Sequence, residues 1–224
     1  LTEDGHQAFE RDGFLVVEDA LLEGMVEDLN KAIERLITKE GAPDPNDELR
    51  IRDILGKDDL FLELIDWPRI FPKVWGMLKW NIHLYHTELR ITPPESFENR
   101  HVERRLCWRQ EGDRLNQEVM EASPPPRISV KVGYFLTDLT ETGRGNPSVI
   151  PGSHFKREIE FPSDGVSDPD GVMEVCVPAG AAVIFDRRLW RAHGRNFSDI
   201  TQRAVFMGYS HRWFNPTVDM TVSH

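Results

Sequence analysis

RISVKVGYFLT, residues 127–137, is the stretch that predicts the fold of this chain most clearly. Its residues alternate as a β-strand requires, because successive side chains of a strand point to opposite faces. Val130 and Val132 therefore share one face, whereas Lys131 lies on the other face together with Ser129. If the second face lines a pocket, a lysine there favours an acidic ligand.

Shorter segments of similar character surround this strand, with Gly and Pro between them. The other predicted strands are residues 14–17, 81–92, 104–110, 149–150, 173–177, 181–185, 189–192 and 203–210. The predicted helices are residues 2–11, 21–39, 60–65, 68–78 and 115–121. Helices followed by a run of short strands predict a helical layer packed on a β-sandwich or barrel. We expect one domain, residues 1–224, with helices over about residues 1–79 and a β core over about residues 80–214.

Composition and charge narrow the class of protein further. The chain has 224 residues, of which 39% are apolar and 29% charged, and its formal net charge is −11. Such a charge argues against nucleic acid as a partner, because phosphate binding needs a basic face. No apolar run approaches the roughly 20 residues that span a bilayer, so we expect no membrane segment. Cys107 and Cys176 lie in apolar stretches, so we expect both to be reduced thiols in the core. We also expect a cytosolic protein. The sequence leaves its oligomeric state open.

Four segments together carry a resemblance to a known family. They are DGFLVVED (residues 12–19), WRQEGDRLN (108–116), ISVKVGYFLTDLTETGRGNPSVIPGSH (128–154) and FDRRLWRAHGRNFSDITQRAVFMGYSHRW (185–213). In this combination they resemble the phytanoyl-CoA dioxygenase (PhyH) family of iron(II)- and 2-oxoglutarate-dependent oxygenases. The resemblance implies a mainly β fold with N-terminal helices, built on a double-stranded β-helix of the jelly-roll or cupin-like type.

The resemblance also implies where iron would bind, and the residues at those positions are unusual. The family's two histidines and one carboxylate correspond here to Arg109, Arg191 and Glu111. Iron(II) prefers imidazole nitrogen and carboxylate oxygen, whereas a guanidinium has no lone pair to offer a metal. We therefore expect no metal ligand at these positions and no cofactor, neither Fe(II) nor 2-oxoglutarate.

The 2-oxoglutarate site implied by the resemblance is altered as well. The position of the family's carboxylate-binding arginine is occupied by Gln202, and Arg203 is the next residue. A shift of one residue on a strand turns a side chain to the opposite face, which makes Arg203 a doubtful substitute. Glu88 and Arg90 share a face of an upstream strand, and with Lys131 they complete the predicted substrate-binding residues.

Two alternatives remain open at this point. A shifted iron site could use His101, Glu103 and His193, which are also a His-x-carboxylate pair and a distal histidine. Alternatively, salt bridges could fill the former metal pocket and leave a ligand-binding protein or scaffold without turnover.

The predicted function is acid–base chemistry on a small carbonyl-bearing metabolite. Arg109, Glu111, Arg191 and His193 are the predicted catalytic residues, because a carboxylate or imidazole can take a proton while arginine stabilises an oxyanion. Dehydration, conjugate addition, cyclisation and isomerisation are the expected reaction types. Analogy with tailoring enzymes of the family suggests secondary metabolism as the setting.

Overall fold

Helix α1, Glu3–Asp12, begins and ends where its capping residues predict. The Thr2 hydroxyl accepts a hydrogen bond from the amide of Gly5, at 3.2 Å, and acidic residues occupy the first turn. Gly13 ends the helix with φ +81°, a left-handed conformation that glycine adopts without a steric cost.

This computed structural model describes residues 2–40, 47–111 and 126–214. The predicted helix at residues 115–121 lies outside the described residues.

The other elements follow in chain order. The helices after α1 are α2 (Glu23–Glu40), α3 (Leu60–Glu63), α4 (Phe71–Leu78) and α5 (Phe97–Arg100). The strands are β1 (Phe14–Val17), β2 (Leu49–Arg52), β3 (Ile82–Thr92), β4 (Ser129–Phe135), β5 (Pro147–Val149), β6 (Met173–Glu174), β7 (Ala182–Asp186), β8 (Arg191–His193) and β9 (Gln202–His211). The predicted order of helices and strands is therefore observed, although β1 and β2 lie within the first 79 residues.

Two antiparallel sheets form the β core of the described residues. The larger sheet has the order β1-β7-β4-β9-β3-β2, and the smaller has the order β6-β5-β8. In the larger sheet the predicted strand around Lys131 is central, between β7 and β9. One domain for the whole chain stays a prediction.

The larger sheet separates two apolar layers. Its outer face packs against the helices, where Val130 and Val132 join Leu29 and Ile33 of α2 in one buried cluster. Tyr209 on this face donates a hydrogen bond to the carbonyl of Ile65 at 2.8 Å. Because the helices cover this face, the opposite face with Lys131 turns toward the smaller sheet and forms the barrel interior.

The structure corrects several details of the predicted elements. Residues 104–110 are not a strand, because among the described residues they make a single sheet contact, the bridge between Arg109 and Arg191. Helix α4 begins at Phe71 and has Pro72, not Pro68, in its first turn. Strand β2 and helix α5 were not predicted. Cys107 and Cys176 are free thiols but exposed, so the expectation of core thiols is wrong.

The loop at residues 156–171 is fastened to the barrel. Asp168 accepts hydrogen bonds from the amide of Leu106 at 2.9 Å and from the indole of Trp108 at 2.7 Å. Arg105 donates to the carbonyls of Ser167 and Pro162 from the other side of the loop. These contacts hold the loop against residues 105–108.

Gly13→Ala tests the junction between α1 and the β core. A Cβ at this position would lie 2.5 Å from Nδ1 of His154 and 2.9 Å from Leu189, at a φ that side chains rarely adopt. We expect a loss of about 2 kcal/mol or more in the free energy of unfolding, measured by urea denaturation. Gly24→Ala is the control, because nothing lies within 4 Å of its added Cβ. Equal stability of the two variants would contradict the packing described here.

Candidate functional site

The inward face of the larger sheet carries four of the nine polar residues predicted from the sequence, namely Glu88, Arg90, Lys131 and Gln202. Strand pairing places Lys131 beside Gly208, and His86 on the neighbouring strand pairs with the same glycine. A Cβ at Gly208 would come within 2.9 Å of the Tyr85 ring and 3.0 Å of His86. Glycine at this position therefore leaves room for the polar side chains inside the barrel.

A pair of backbone hydrogen bonds joins the segment at residues 109–111 to the barrel. The Arg109 amide donates to the carbonyl of Arg191 at 3.0 Å, and the Arg191 amide donates to the carbonyl of Arg109 at 3.1 Å. The Glu111 amide donates to the carbonyl of Arg187 at 2.9 Å. These bonds place Arg109 and Glu111 beside the smaller sheet.

Glu111 is the centre of the charged cluster. Its Oε1 accepts a hydrogen bond from Nζ of Lys131 at 2.8 Å, and its Oε2 accepts one from Nη2 of Arg191 at 2.6 Å. One carboxylate is thus shared by two cations. The structure brings together three residues that were predicted from separate parts of the sequence.

The ionisable side chains of this cluster shift one another's pKa values. Burial alone would raise the pKa of Glu111, but Lys131 and Arg191 outweigh it and lower the pKa well below its usual range. Burial lowers the pKa of Lys131 against the opposing effect of Glu111. Glu111 is therefore ionised near neutral pH and is a weak proton acceptor.

A second pair of opposite charges lies on β3. Arg90 donates to Oε1 of Glu88 at 2.7 Å, and Nε2 of His86 lies 3.8 Å from Oε2 of the same carboxylate. Burial alone would raise the pKa of Glu88, but the charges of Arg90 and Lys131 outweigh it and lower that pKa. Burial and Lys131 lower the pKa of His86 to about 4, so its imidazole is neutral near pH 7.

His193 is half-buried at the edge of the cluster. Its Nε2 lies 2.9 Å from the hydroxyl of Thr92, within hydrogen-bond distance. Burial, followed by the charges of Arg90 and Arg50, lowers the pKa of His193 to about 3. Its imidazole is therefore neutral near pH 7 and, like Glu111, a weak proton acceptor.

These side chains surround a narrow pocket, called here the barrel pocket. Its free space is about 40 Å³, close to the volume of a single carboxylate group or water. The lining residues are Arg90, Arg109, Lys131, Pro147, Phe185, Arg191, Ala192, His193 and Phe206. His193 also borders a wider groove of about 500 Å³ outside the barrel.

The barrel pocket has an excess of positive charge. Glu88 is paired with Arg90, and Glu111 is shared between Lys131 and Arg191. Arg109 is exposed and has no ion-pair or hydrogen-bond partner for its side chain within the described ranges. In a chain with a net charge of −11, this local excess of cations is a feature of the site itself.

Two phenylalanines complete the pocket, and the sequence analysis did not assign them to it. The guanidinium of Arg90 lies 5.2 Å from the ring centre of Phe206, and Nζ of Lys131 lies 5.8 Å from it. Arg191 lies 5.2 Å from the ring centre of Phe185. Aromatic faces stabilise cations that have lost water, which offsets part of the cost of burying them. Sequence spacing alone gives no signal that separates these rings from core residues.

Of the two residues predicted at the 2-oxoglutarate position, Arg203 is placed elsewhere. Arg203 lies on the helix-covered side of β9, where it donates to Asn30 at 3.2 Å and pairs with Glu34. Arg203 thus faces away from the barrel pocket, because one step along the strand reverses the face, and this placement gives its predicted role in substrate binding no support. Gln202 points inward and is buried, but it does not line the barrel pocket.

The shifted iron site is not assembled in the described residues. His101 is exposed and packs against Phe97 with ring centres 4.8 Å apart, and Glu103 is exposed as well. His193 instead contacts Thr92 inside the barrel. Across residues 2–40, 47–111 and 126–214, no three or more His, Cys, Asp or Glu side chains are grouped to hold a metal ion.

The residues at the resemblance-implied iron position also do not fit a divalent cation. Arg109 and Arg191 offer no lone pair, and the oxygens of Glu111 already accept from Lys131 and Arg191.

Comparison with known proteins identifies the fold. Residues 97–204 match the family model described as Phytanoyl-CoA dioxygenase (PhyH). Residues 97–204 are therefore PhyH-like, and we use that term for the chain as a description of this similarity. No curated protein sequence matches the PhyH-like chain.

Solved structures similar to the PhyH-like chain are cupin-like oxygenases with a jelly-roll fold. HygX from Streptomyces hygroscopicus with nickel, 2-oxoglutarate and hygromycin B has a TM-score of 0.74 at 17% identity, covering 96% of this chain and 89% of HygX. EctD from S. alaskensis with bound Fe has a TM-score of 0.73 at 20% identity, covering 96% and 80%. The epimerase SnoN with Fe³⁺, alpha ketoglutarate and nogalamycin RO has a TM-score of 0.71 at 16% identity, covering 93% and 82%.

These neighbours confirm one prediction and contradict another. The predicted double-stranded β-helix with N-terminal helices is confirmed. The prediction of no cofactor is contradicted, because the neighbours bind iron or nickel together with 2-oxoglutarate. In the described residues, no helix has the length and apolarity needed to cross a membrane.

The lowered pKa of His193 predicts how the stability of the fold depends on pH. His193 has a folded-state pKa of about 3 against an ordinary value of 6.5. As the pH falls below 6.5, the unfolded chain takes up the proton first, so the contribution of His193 to stability is lost. We expect this histidine to account for about 2 kcal/mol of destabilisation between about pH 7.5 and about pH 5.

Urea denaturation at the two pH values measures this effect. His193→Gln should reduce the loss of stability on acidification, whereas His101→Gln, a change at an exposed histidine, should leave that loss unchanged. The same loss in wild type and in His193→Gln would show that His193 is protonated in the folded protein.

Proposed function

We propose that this PhyH-like protein binds a small organic dianion in the barrel pocket, with 2-oxoglutarate as the first candidate. The observation that carries the proposal is the excess of cations around the pocket, where Lys131 and Arg191 share one carboxylate and Arg109 has no partner among the described residues. The neighbours HygX and SnoN, which bind 2-oxoglutarate, support the choice of ligand.

The size of the pocket supports a particular mode of binding. A space of about 40 Å³ admits one carboxylate group, while the remainder of a ligand extends past His193 toward the wider groove. The entering carboxylate competes with Glu111 for Lys131 and Arg191, and the exposed Arg109 is available to the rest of the ligand. Charge-assisted hydrogen bonds of this kind are stronger than neutral ones.

The roles of the residues in binding follow from their positions. Lys131 and Arg191 neutralise the carboxylate that enters the pocket. Phe185 and Phe206 exclude water from the cations and preserve the strength of the ion pairs. Glu88 neutralises Arg90 and keeps that guanidinium fixed on β3.

A second candidate is the acid–base enzyme predicted from the sequence. It is favoured by one observation, the two cations next to a carboxylate, which suit the stabilisation of an oxyanion formed beside a carbonyl. The lowered pKa values of Glu111 and His193 weaken both as bases. SnoN, from nogalamycin biosynthesis, supports a setting in natural-product metabolism. Solvent deuterium entering the carbon next to the carbonyl of a bound oxo acid distinguishes this enzyme from a binding protein or scaffold.

Calorimetric titration with 2-oxoglutarate tests the proposal. Lys131→Met removes a cation from the pocket and should weaken binding by about tenfold or more. Arg203→Gln is the matched control, because it removes a cation on the opposite face of the larger sheet and should leave the affinity unchanged. Titrations with a chelator and with added Mn(II) show separately whether binding of the dianion depends on a metal.

Three outcomes are informative. Binding that is lost in Lys131→Met and kept in Arg203→Gln supports the proposal. No binding of 2-oxoglutarate or of shorter dicarboxylates by wild type would overturn it in favour of a pocket filled by its own ion pairs. Equal weakening by the two variants would show that only the overall charge matters.

A further inference from the structure

A second concave surface lies between helix α4 and the start of β3. It is a cleft of about 570 Å³, a volume typical of sites for small organic molecules. Its lining residues, which define the Trp cleft, are Phe71, Pro72, Trp75, Lys79, Trp80, Asn81, Ile82 and Arg212. None of them lines the barrel pocket, so the two sites are distinct.

Two tryptophans form the wall of the Trp cleft and remain open to solvent. Trp80 is 78% exposed and Trp75 is 41% exposed, although tryptophan is usually largely buried. Their rings meet edge to face, with centres 5.5 Å apart and planes at 86°. This arrangement leaves aromatic surface available to a planar ligand.

The backbone holds Trp80 in its exposed position. Both of its neighbours have left-handed backbone angles, with φ +66° at Lys79 and at Asn81. Residues other than glycine adopt such angles at a steric cost, and they persist where surrounding contacts fix them. Here the Lys79 amide donates to the carbonyl of Trp75 at 2.7 Å, and the Arg212 amide donates to the carbonyl of Asn81 at 2.9 Å.

The positive charge of the Trp cleft favours an anionic ligand. Lys79 and Arg212 have no ion-pair or hydrogen-bond partner for their side chains in the part of the chain that the structure describes. The described lining contains no carboxylate, whereas the chain as a whole carries a net charge of −11. An anion would therefore find two unpaired cations beside an aromatic wall.

We propose that the Trp cleft binds a small planar aromatic anion, such as an aromatic carboxylate. The ring stacks against Trp75 and Trp80, and the carboxylate is bound by Lys79 and Arg212. Stacking and ion pairing act together, because the apolar wall lowers the local polarity in which the charges attract.

Ligand-observed NMR titration with 2-naphthoate and with its uncharged counterpart 2-naphthalenemethanol tests this inference. Wild type should bind naphthoate more tightly than the alcohol. Trp80→Ala should weaken naphthoate binding by about tenfold. Arg212→Gln should weaken naphthoate binding by about tenfold but leave binding of the alcohol unchanged.

Trp213→Ala is the matched control. Trp213 is 60% exposed but does not line the Trp cleft, so its removal should not change naphthoate binding. Saturation with 2-oxoglutarate should likewise have no effect, which keeps this test independent of the barrel pocket. Equal affinity for naphthoate and the alcohol, or equal loss of binding in Trp80→Ala and Trp213→Ala, would overturn the inference.

Discussion

The ion pairs of Glu111 with Lys131 and Arg191 are the interaction on which the interior of this barrel depends. The three residues come from separate parts of the chain, and a buried lysine or arginine without a counter-charge would cost several kcal/mol. Glu111 provides that counter-charge to both cations, with distances of 2.8 and 2.6 Å. Removing the carboxylate would leave two like charges facing each other beside Phe185 and Phe206.

The same interaction explains the character of the pocket. In the neighbours HygX and SnoN the fold binds a metal together with 2-oxoglutarate. Here the described side chains at the corresponding place form a cationic cluster around one carboxylate. A site of this composition attracts anions, and its carboxylate and histidines have pKa values too low for strong bases near pH 7. The residues therefore favour binding of an acid over abstraction of a proton.

Much of the fold could be predicted from the sequence, because the relevant signals are local. The cap residues Thr2 and Gly13 mark the ends of α1, and the alternation around Lys131 identifies the central strand. The alternation at residues 104–110 was misleading, since a strand also needs a partner along its length, and within the part of the chain that the structure describes only Arg109 has one.

The candidate site was only partly predictable. Pairing of Glu111 with Lys131 is a long-range contact that neither residue's neighbours reveal, and the rings of Phe185 and Phe206 resemble core residues in sequence. The position of Arg203 follows from strand alternation alone, and the structure places it against α2.

Calorimetric titration of Glu111→Gln with 2-oxoglutarate is the most direct measurement of the central claim. If Glu111 serves as the counter-charge that a ligand carboxylate displaces, the variant should bind 2-oxoglutarate about tenfold more tightly than wild type, because Lys131 and Arg191 are no longer neutralised. Weaker binding by Glu111→Gln, in a protein that remains folded, would contradict the account and assign Glu111 a direct role in holding the ligand.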